Sequence, residues 1–303
     1  MTESKSEPSR CGFAALIGAP NAGKSTLMNT LLGVKVSIVT PKAQTTRSRI
    51  FGVLTSDNAQ LVFVDTPGIF APRRRLERAM VTAAWNGAFA ADIIVILIDV
   101  ASGVRSDTQK IIRKLVETKR TAICVLNKID RIKRSNLLKI VEELKSNNLF
   151  TDYFMISALN GDGVTDLKSF LISQLPNGPW HFPEDQLSDM NERLFAAEIT
   201  REKLFLNLHE ELPYSLTVET TGWEDFENGA VRIEQVLYVD KTSHKGITLG
   251  RGGTRIKLIR SLAQAELQDL LGRDVHLFLF VKVREKWWED PQHYRDWGLD
   301  FGS

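Results

Sequence analysis

Apolar and polar positions follow two alternating rhythms along the first half of this chain. Phe13–Ile17, Ile50–Leu54, Leu61–Asp65, Ile93–Asp99, Thr121–Asn127 and Tyr153–Ile156 are apolar runs of strand length. Between them, Ser25–Leu32, Leu76–Phe89, Asp107–Glu117, Ser135–Ser146 and Val164–Leu175 carry helical spacing. A run such as Ile93–Ile98, with no period-two alternation, suits a strand covered on both faces. The repeated order strand, helix, strand predicts an α/β domain built on a doubly wound sheet.

The helical pattern breaks at Pro176-Asn177-Gly178-Pro179, and the stretch to Asp189 is rich in proline and acid. The division expected is a domain over residues 1–178, a linker over 179–190 and a second domain over 191–303 with a C-terminal tail. The second domain is expected to contain a helix (Asn191–Glu210), strands at Ser215–Thr221 and Val231–Val239, a glycine-rich turn, a helix (Thr254–Leu271) and a strand (Val275–Val283). Composition fits a globular protein, with 43% hydrophobic and 25% charged residues. No apolar run is long enough to span a bilayer, and the polar start from Met1 to Arg10 is unlike a secretory signal. Cys11 and Cys124 have no metal-ligand spacing and adjoin apolar runs, which reads as two buried thiols in a reducing compartment.

Four short motifs end successive strands, where open α/β sheets bind ligands. The first is Gly18-Ala19-Pro20-Asn21-Ala22-Gly23-Lys24-Ser25, followed by Thr26. Its spacing is that of a P-loop: glycines let backbone amides turn around phosphates, Lys24 reaches the β- and γ-phosphates, and Ser25 offers a hydroxyl to Mg2+. The second, Asp65-Thr66-Pro67-Gly68, supplies a carboxylate that holds Mg2+ through water and a glycine amide for the γ-phosphate. In Asn127-Lys128-Ile129-Asp130 the Asp130 carboxylate matches the paired donors of guanine, which adenine lacks. Ser157-Ala158-Leu159 would present a backbone amide to the guanine oxygen. Within Gln44-Thr45-Thr46-Arg47 a threonine hydroxyl could complete the magnesium shell, with Thr46 favoured over Thr45. Taken singly, Asp-x-x-Gly is a common turn and the threonines a polar loop; their order is what points to GTP and GDP.

In the second half, Gly250-Arg251-Gly252-Gly253 enters a helix between expected strands. A Gly-x-x-Gly loop of this kind is the KH pattern that clamps about four nucleotides of single-stranded RNA. Lys245, Arg251, Arg255 and Lys257 would neutralise phosphates around Gly250, Gly252 and Gly253. Residues 1–180 hold 24 Lys and Arg against 15 Asp and Glu, net +9; residues 181–303 hold 15 against 22, net −7. Within that acidic half, Lys241 to Arg260 contains six basic residues and no acid. Trp287, Trp288 and Trp297 read as anchors of the tail rather than base-stacking rings. Arg73-Arg74-Arg75 reads equally as a solvated helix entry or as a contact for RNA or anionic lipid. The histidines show no metal spacing.

The P-loop variant, with Gln44-Thr45-Thr46-Arg47 and Asp65-Thr66-Pro67-Gly68, resembles the Era family of bacterial GTPases. Glu211-Leu212-Pro213-Tyr214-Ser215 and Val275–Val283 resemble that family's C-terminal type II KH domain, so the likeness covers nearly the whole chain. It implies binding of single-stranded RNA near the 3′ end of 16S rRNA, a role in assembly of the 30S subunit, a cytoplasmic location and peripheral contact with the inner face of the cell membrane. A monomer is expected. Ile69 stands where Ras-like enzymes keep a water-orienting glutamine, so no catalytic base is visible and slow intrinsic turnover is expected. Asn21, Lys24, Thr46 and Gly68 are the candidates for transition-state stabilisation and water positioning. In related families the residue matching Asn21 ligates K+, which adds K+ to the cofactors expected. Other readings are a membrane- or partner-directed GTPase, a constitutive RNA-binding module with a structural nucleotide domain, and a P-loop ATPase, the last opposed by Asp130.

Overall fold

The computed structural model describes residues 8–42, 45–145, 148–209 and 212–302. Gln44, Ser146, Glu210 and Glu211, which bear on the expected motifs and elements, lie outside the described residues. Two compact units emerge. One gathers the chain up to Ser37, Thr46–Asp189 and Tyr294 onward; the other gathers Ile38–Thr45 and Met190–His293.

The first unit is built on six strands: β1 (Arg10–Gly18), β2 (Ile50–Ser56), β3 (Ala59–Asp65), β4 (Ile93–Asp99), β5 (Ala122–Asn127) and β6 (Phe150–Ile156). Their order is β2-β3-β1-β4-β5-β6, with β2 antiparallel to β3 and the rest parallel. Helices α1 (Lys24–Leu32), α2 (Arg75–Ala90), α3 (Ser106–Glu117), α4 (Arg134–Lys145) and α5 (Val164–Ser173) connect them. Ile94, Ile96 and Ile98 of β4 pack into one apolar cluster with Ala84 and Ala88 of α2 and Ile111 and Leu115 of α3. The neighbouring Val95 and Leu97 are also fully buried, so β4 is apolar throughout because helices cover both its faces. Both cysteines are buried free thiols, and burial pushes Cys124 up to about 12.

The second unit runs α6 (Glu192–Asn207), β7 (Leu216–Asp225), β8 (Val231–Val239), α7 (Thr242–Leu249), α8 (Thr254–Leu271) and β9 (Val275–Val283). Strand β8 lies between antiparallel β7 and parallel β9. Alternating residues Ile233 and Leu237 of β8 and Leu277 and Val281 of β9 face Ala196, Ala197, Ile259 and Ala263 of α6 and α8. Helix α7 stands where only a glycine-rich turn between strands is expected from the sequence. Its eight residues include Gly246, two threonines and a single buried side chain, Thr248, so neither propensity nor periodicity marks it.

Residues 179–189, within the expected linker over 179–190, group with the first unit and are bonded to it. Gln60 is fully buried; its Oε1 accepts from the His181 and Phe182 amides at 2.9 and 3.0 Å, and its Nε2 donates to Phe182 O at 2.8 Å. Val53 N–H donates to Leu187 O and Phe51 N–H to Asp189 Oδ1, both at 2.9 Å. After a last short helix, α9 (Pro291–Asp296), the chain end also departs from the expected division by joining the first unit. There Arg75 Nε donates to Phe301 O, and the guanidinium lies 3.8 Å from the Phe301 ring centroid. Of the three tryptophans read as anchors, Trp287 is buried and its Nε1 donates to Ser215 O at 3.1 Å, Trp297 is buried under Arg47, and Trp288 is half-buried.

Gln60→Leu should lower unfolding free energy by about 2 kcal/mol or more, because two amides lose their acceptor in a partly buried setting. Urea denaturation measures this, and unchanged stability would show that the 179–189 segment is held by other contacts.

Candidate nucleotide and RNA sites

The parallel strands bring Gly18, Asp65, Asn127 and the Ser157 loop to one edge of the sheet. Between β1 and α1 the backbone turns through Asn21 (φ 62°) and Gly23 (φ 98°). Gly23 admits no side chain, since a Cβ would lie 2.3 Å from Asn127 Nδ2. Thr26 is half-buried in the first turn of α1. Lys24 is buried and donates from Nζ to Gly18 O and Ala19 O, each at 3.3 Å. Burial lowers its pKa to about 8, with Asp65 pulling the other way.

Asp65 ends β3 with no exposure. Its Oδ2 accepts from Ser25 Oγ at 2.7 Å, Ser37 Oγ at 3.0 Å and Thr46 Oγ1 at 3.2 Å. Burial raises the carboxyl's pKa, and Lys24 and the three hydroxyls oppose that shift. Asp65 Oδ1 has no hydrogen-bond partner among the described residues. Ser25 Oγ and Thr46 Oγ1 are 3.0 Å apart. The adjacent Thr45 is turned elsewhere, its hydroxyl bonding Thr40 Oγ1 and Lys42 O. Ser37 is a member of the cluster that the motifs do not announce. Its place is set by Asn29, whose Oδ1 accepts from the Val36 and Ser37 amides and whose Nδ2 donates to Ser37 O. No motif spacing marks that contact.

Thr66 is buried and donates to Leu16 O, and Ile69 N–H donates to Gly18 O at 3.0 Å, drawing Gly68 to the P-loop. The Ile69 side chain itself is buried in the core cluster. Asn127 is a brace: Nδ2 donates to Ala22 O at 2.8 Å, and Oδ1 accepts from Lys128 N and Ala158 N at 2.8 and 3.0 Å. Of the Ser157-Ala158 pair expected to offer a backbone amide to guanine, the Ala158 N–H donates to Asn127 Oδ1 and the Ser157 N–H to Asp162 O. Lys128 Nζ reaches Asn21 O and Asp99 Oδ2 at 2.7 and 2.8 Å. At Asp99 burial works against ionisation, but Lys128, the Ser102 hydroxyl and the Ala101 amide together outweigh it and hold the carboxyl below its usual range. Asp130 is exposed, with Arg131 Nε 3.9 Å away.

In the second unit, Gly250-Arg251-Gly252-Gly253 connects α7 to α8, so helices flank it rather than strands. Gly250 has φ 73°, and a Cβ there would lie 2.7 Å from Arg255 Cβ. Arg255 Nη1 donates back to Ile247 O at 2.8 Å. Arg251, Gly252 and Lys257 are exposed; Lys245, Gly253 and Arg255 are half-buried. Amides at a helix start beside exposed cations suit an anionic backbone.

A buried lysine and carboxylate beneath a glycine-bearing turn, followed in the chain by a helix-loop-helix of this kind, define a P-loop GTPase joined to a KH domain. The family described as 50S ribosome-binding GTPase matches residues 13–128, and the KH domain family matches residues 211–288. The chain is 54% identical to GTPase Era of Sinorhizobium medicae (strain WSM419), across 99% of this chain and 97% of that one. It is 53% identical to GTPase Era of Brucella suis biovar 1 (strain 1330), across 99% and 96%. Two crystal structures superpose on it at 38% identity. A point variant of Aquifex aeolicus Era bound to GDP.AlF4- has a TM-score of 0.90, covering 95% of this chain and 99% of that one. Era with MgGDPNP and nucleotides 1506–1542 of 16S ribosomal RNA has a TM-score of 0.91, covering 96% and 99%. The chain belongs to the Era family and is a GTPase.

The Lys24 shift has a pH signature. Between pH about 8 and 10.5 the unfolded chain holds a proton that folded Lys24 has lost, so stability rises with pH in that window and is flat below it. The difference between wild type and Lys24→Met, without nucleotide, should therefore climb by up to about 3 kcal/mol. Denaturation across that range measures it; a flat difference would mean that Lys24 keeps an ordinary pKa.

Proposed function

We propose that this GTPase is a switch that binds the 3′ region of 16S rRNA during assembly of the 30S subunit in the cytoplasm. The observation that carries the reading is that one chain joins the Asp65–Ser25–Thr46 cluster to a Gly-x-x-Gly loop between two helices. The full-length likeness to an Era bound to MgGDPNP and 16S rRNA nucleotides supports it.

Residues 18–26 would receive the phosphates on their amides, and Lys24, now bonded to two neutral carbonyls, would gain charged acceptors. The residues fit Mg2+: a buried carboxylate with one oxygen unpartnered among the described residues stands beside two clustered hydroxyls. Ser25 and Thr46 would hold the ion directly and Asp65 through water; when bound, it neutralises phosphate charge. Gly68 would turn its amide to the γ-phosphate, and loss of that phosphate would free Gly68 and Thr46 together. Asp130, exposed on its turn, would read guanine, flanked by Lys128. Ile69 lies in the core and offers no proton acceptor, which supports slow intrinsic turnover. Asn21, in its left-handed turn beside Lys128, would carry K+ near the phosphates. Lys245, Gly250, Arg251, Gly252, Gly253, Arg255 and Lys257 would clamp the RNA backbone.

GTP turnover with and without a single-stranded fragment of the 16S rRNA 3′ end tests the switch. A sequence-dependent rise is expected, and it should vanish in Gly250→Asp/Gly253→Asp while turnover without RNA stays unchanged. RNA binding equal in GTP and GDP, with no effect on turnover, would instead mean two tethered activities. Replacing K+ by Na+ should lower kcat several-fold; equal rates would remove K+ from the site.

A further inference from the structure

Within the first unit, a hydroxyl from the stretch after α1 reaches Asp65, and the helix itself aims it. Helix α1 ends at Gly33, whose φ of 71° lies in the left-handed region and whose N–H donates to Asn29 O at 2.9 Å. Beyond that turn, Asn29 Oδ1 accepts from the Val36 and Ser37 amides, both at 3.0 Å. Asn29 Nδ2 donates to Ser37 O at 2.7 Å. One amide side chain thus holds the peptides on both sides of the Ser37 Cα. Because each peptide is planar, holding them fixes the direction in which the Ser37 side chain leaves the backbone. Ser37 Oγ then donates to Asp65 Oδ2 at 3.0 Å.

Ser37 is 1% exposed and Asp65 fully buried, so solvent cannot replace this bond. Burial opposes the charge on Asp65, and each donor offsets part of that cost. The three hydroxyls on the carboxylate differ in what else they do. Ser25 and Thr46 have a second duty as ligands in the reading above, so their places answer to the ion. Ser37 has none. Its hydroxyl bonds only Asp65 among the described residues, and its backbone is tied to α1. A partner of this kind, behind a metal-holding carboxylate, sets the carboxylate's direction and charge. Losing one commonly lowers metal affinity by about tenfold or more.

We propose that Ser37, aimed by Asn29, is a positioning residue that fixes the Asp65 carboxylate and so sets how firmly the nucleotide complex retains Mg2+. The inference rests on the reading of Asp65 as the carboxylate that holds the ion through water. It adds to the site two residues that lie outside all four nucleotide motifs. Nucleotide binding without Mg2+, which draws on the P-loop amides and Lys24, is indifferent to both.

The test uses the full chain and a non-hydrolysable GTP analogue. Equilibrium titration in EDTA and across a Mg2+ series gives the Mg2+-free affinity and the Mg2+ concentration for half of the added affinity. Ser37→Ala should raise that concentration about tenfold and move the Mg2+-free affinity by less than about twofold. Asn29→Ala keeps the hydroxyl but releases the peptides that aim it. It should shift the Mg2+ requirement the same way and add nothing in the Ser37→Ala background. Asp65→Asn, the reference for loss of the carboxylate charge, should raise the requirement further. Melting of the nucleotide-free chain reports whether each variant is folded. Equal weakening with and without Mg2+ would make Ser37 merely structural and overturn the proposal. A raised Mg2+ requirement in Asp65→Asn with none in Ser37→Ala would overturn it alone. An unchanged requirement in Asp65→Asn would overturn the metal role of Asp65 and the positioning role with it.

Discussion

A carboxylate without solvent at the end of a central strand constrains everything around it. Asp65 cannot be ionised there unless donors converge on it, because an unpaired buried carboxylate is among the costliest groups in a protein. Three hydroxyls meet on one of its oxygens, from the start of α1, from Ser37 and from Thr46. Lys24 adds a nearby charge. The ends of β1 and β3 and two points of a long connection must therefore be brought together before the site can exist. Its other oxygen is buried without a hydrogen-bond partner among the described residues.

A second brace ties three loops together. Asn127 bonds the P-loop, the turn after β5 and the loop after β6 with one amide side chain. Its burial and three hydrogen-bond partners make it part of the frame, although it lies inside the guanine motif. Asp130, three residues later, is exposed with one distant cation beside it. Thr66 follows Asn127 in being buried and bonded inward, whereas Asn21 follows Asp130 in being exposed. Residues adjacent in one motif thus differ sharply in burial: some shape the turn from inside and others stand at the surface.

The strands of the first unit were legible because apolar runs such as Ile93–Ile98 report burial directly, and the motifs because each is local in sequence. Val231–Val239, Thr254–Leu271 and Val275–Val283 were read to the residue. Helix α7 was not, since tertiary packing rather than propensity makes it helical. Ser37 escaped because its contact with Asp65 spans 28 positions without a motif. The charges of α6 escaped for a different reason. Glu198, Arg201 and Glu202 have the spacing of an ordinary solvated helix face, and sequence carries no sign that a distant segment covers them. Gln60, a polar residue in an apolar strand, hid its bonds to residues 181 and 182 in the same way.

Net charge was the least informative quantity, and the structure shows why. Most basic residues elsewhere in the acidic half are tied to carboxylates: Arg201 to Glu198, Lys203 to Glu202 and Glu266, Arg232 to Glu224 and Glu234, Arg273 to Glu192 and Asp225, and Arg284 to Asp290. The six between Lys241 and Arg260 form no ion pair among the described residues. Screening limits exposed charges to a reach of about 8 Å at physiological ionic strength, so a phosphate at Gly250 feels its neighbours and not the domain total. Local electrostatics in this half are therefore set by which charges are left without an ion-pair partner, and those cluster around the Gly250 loop.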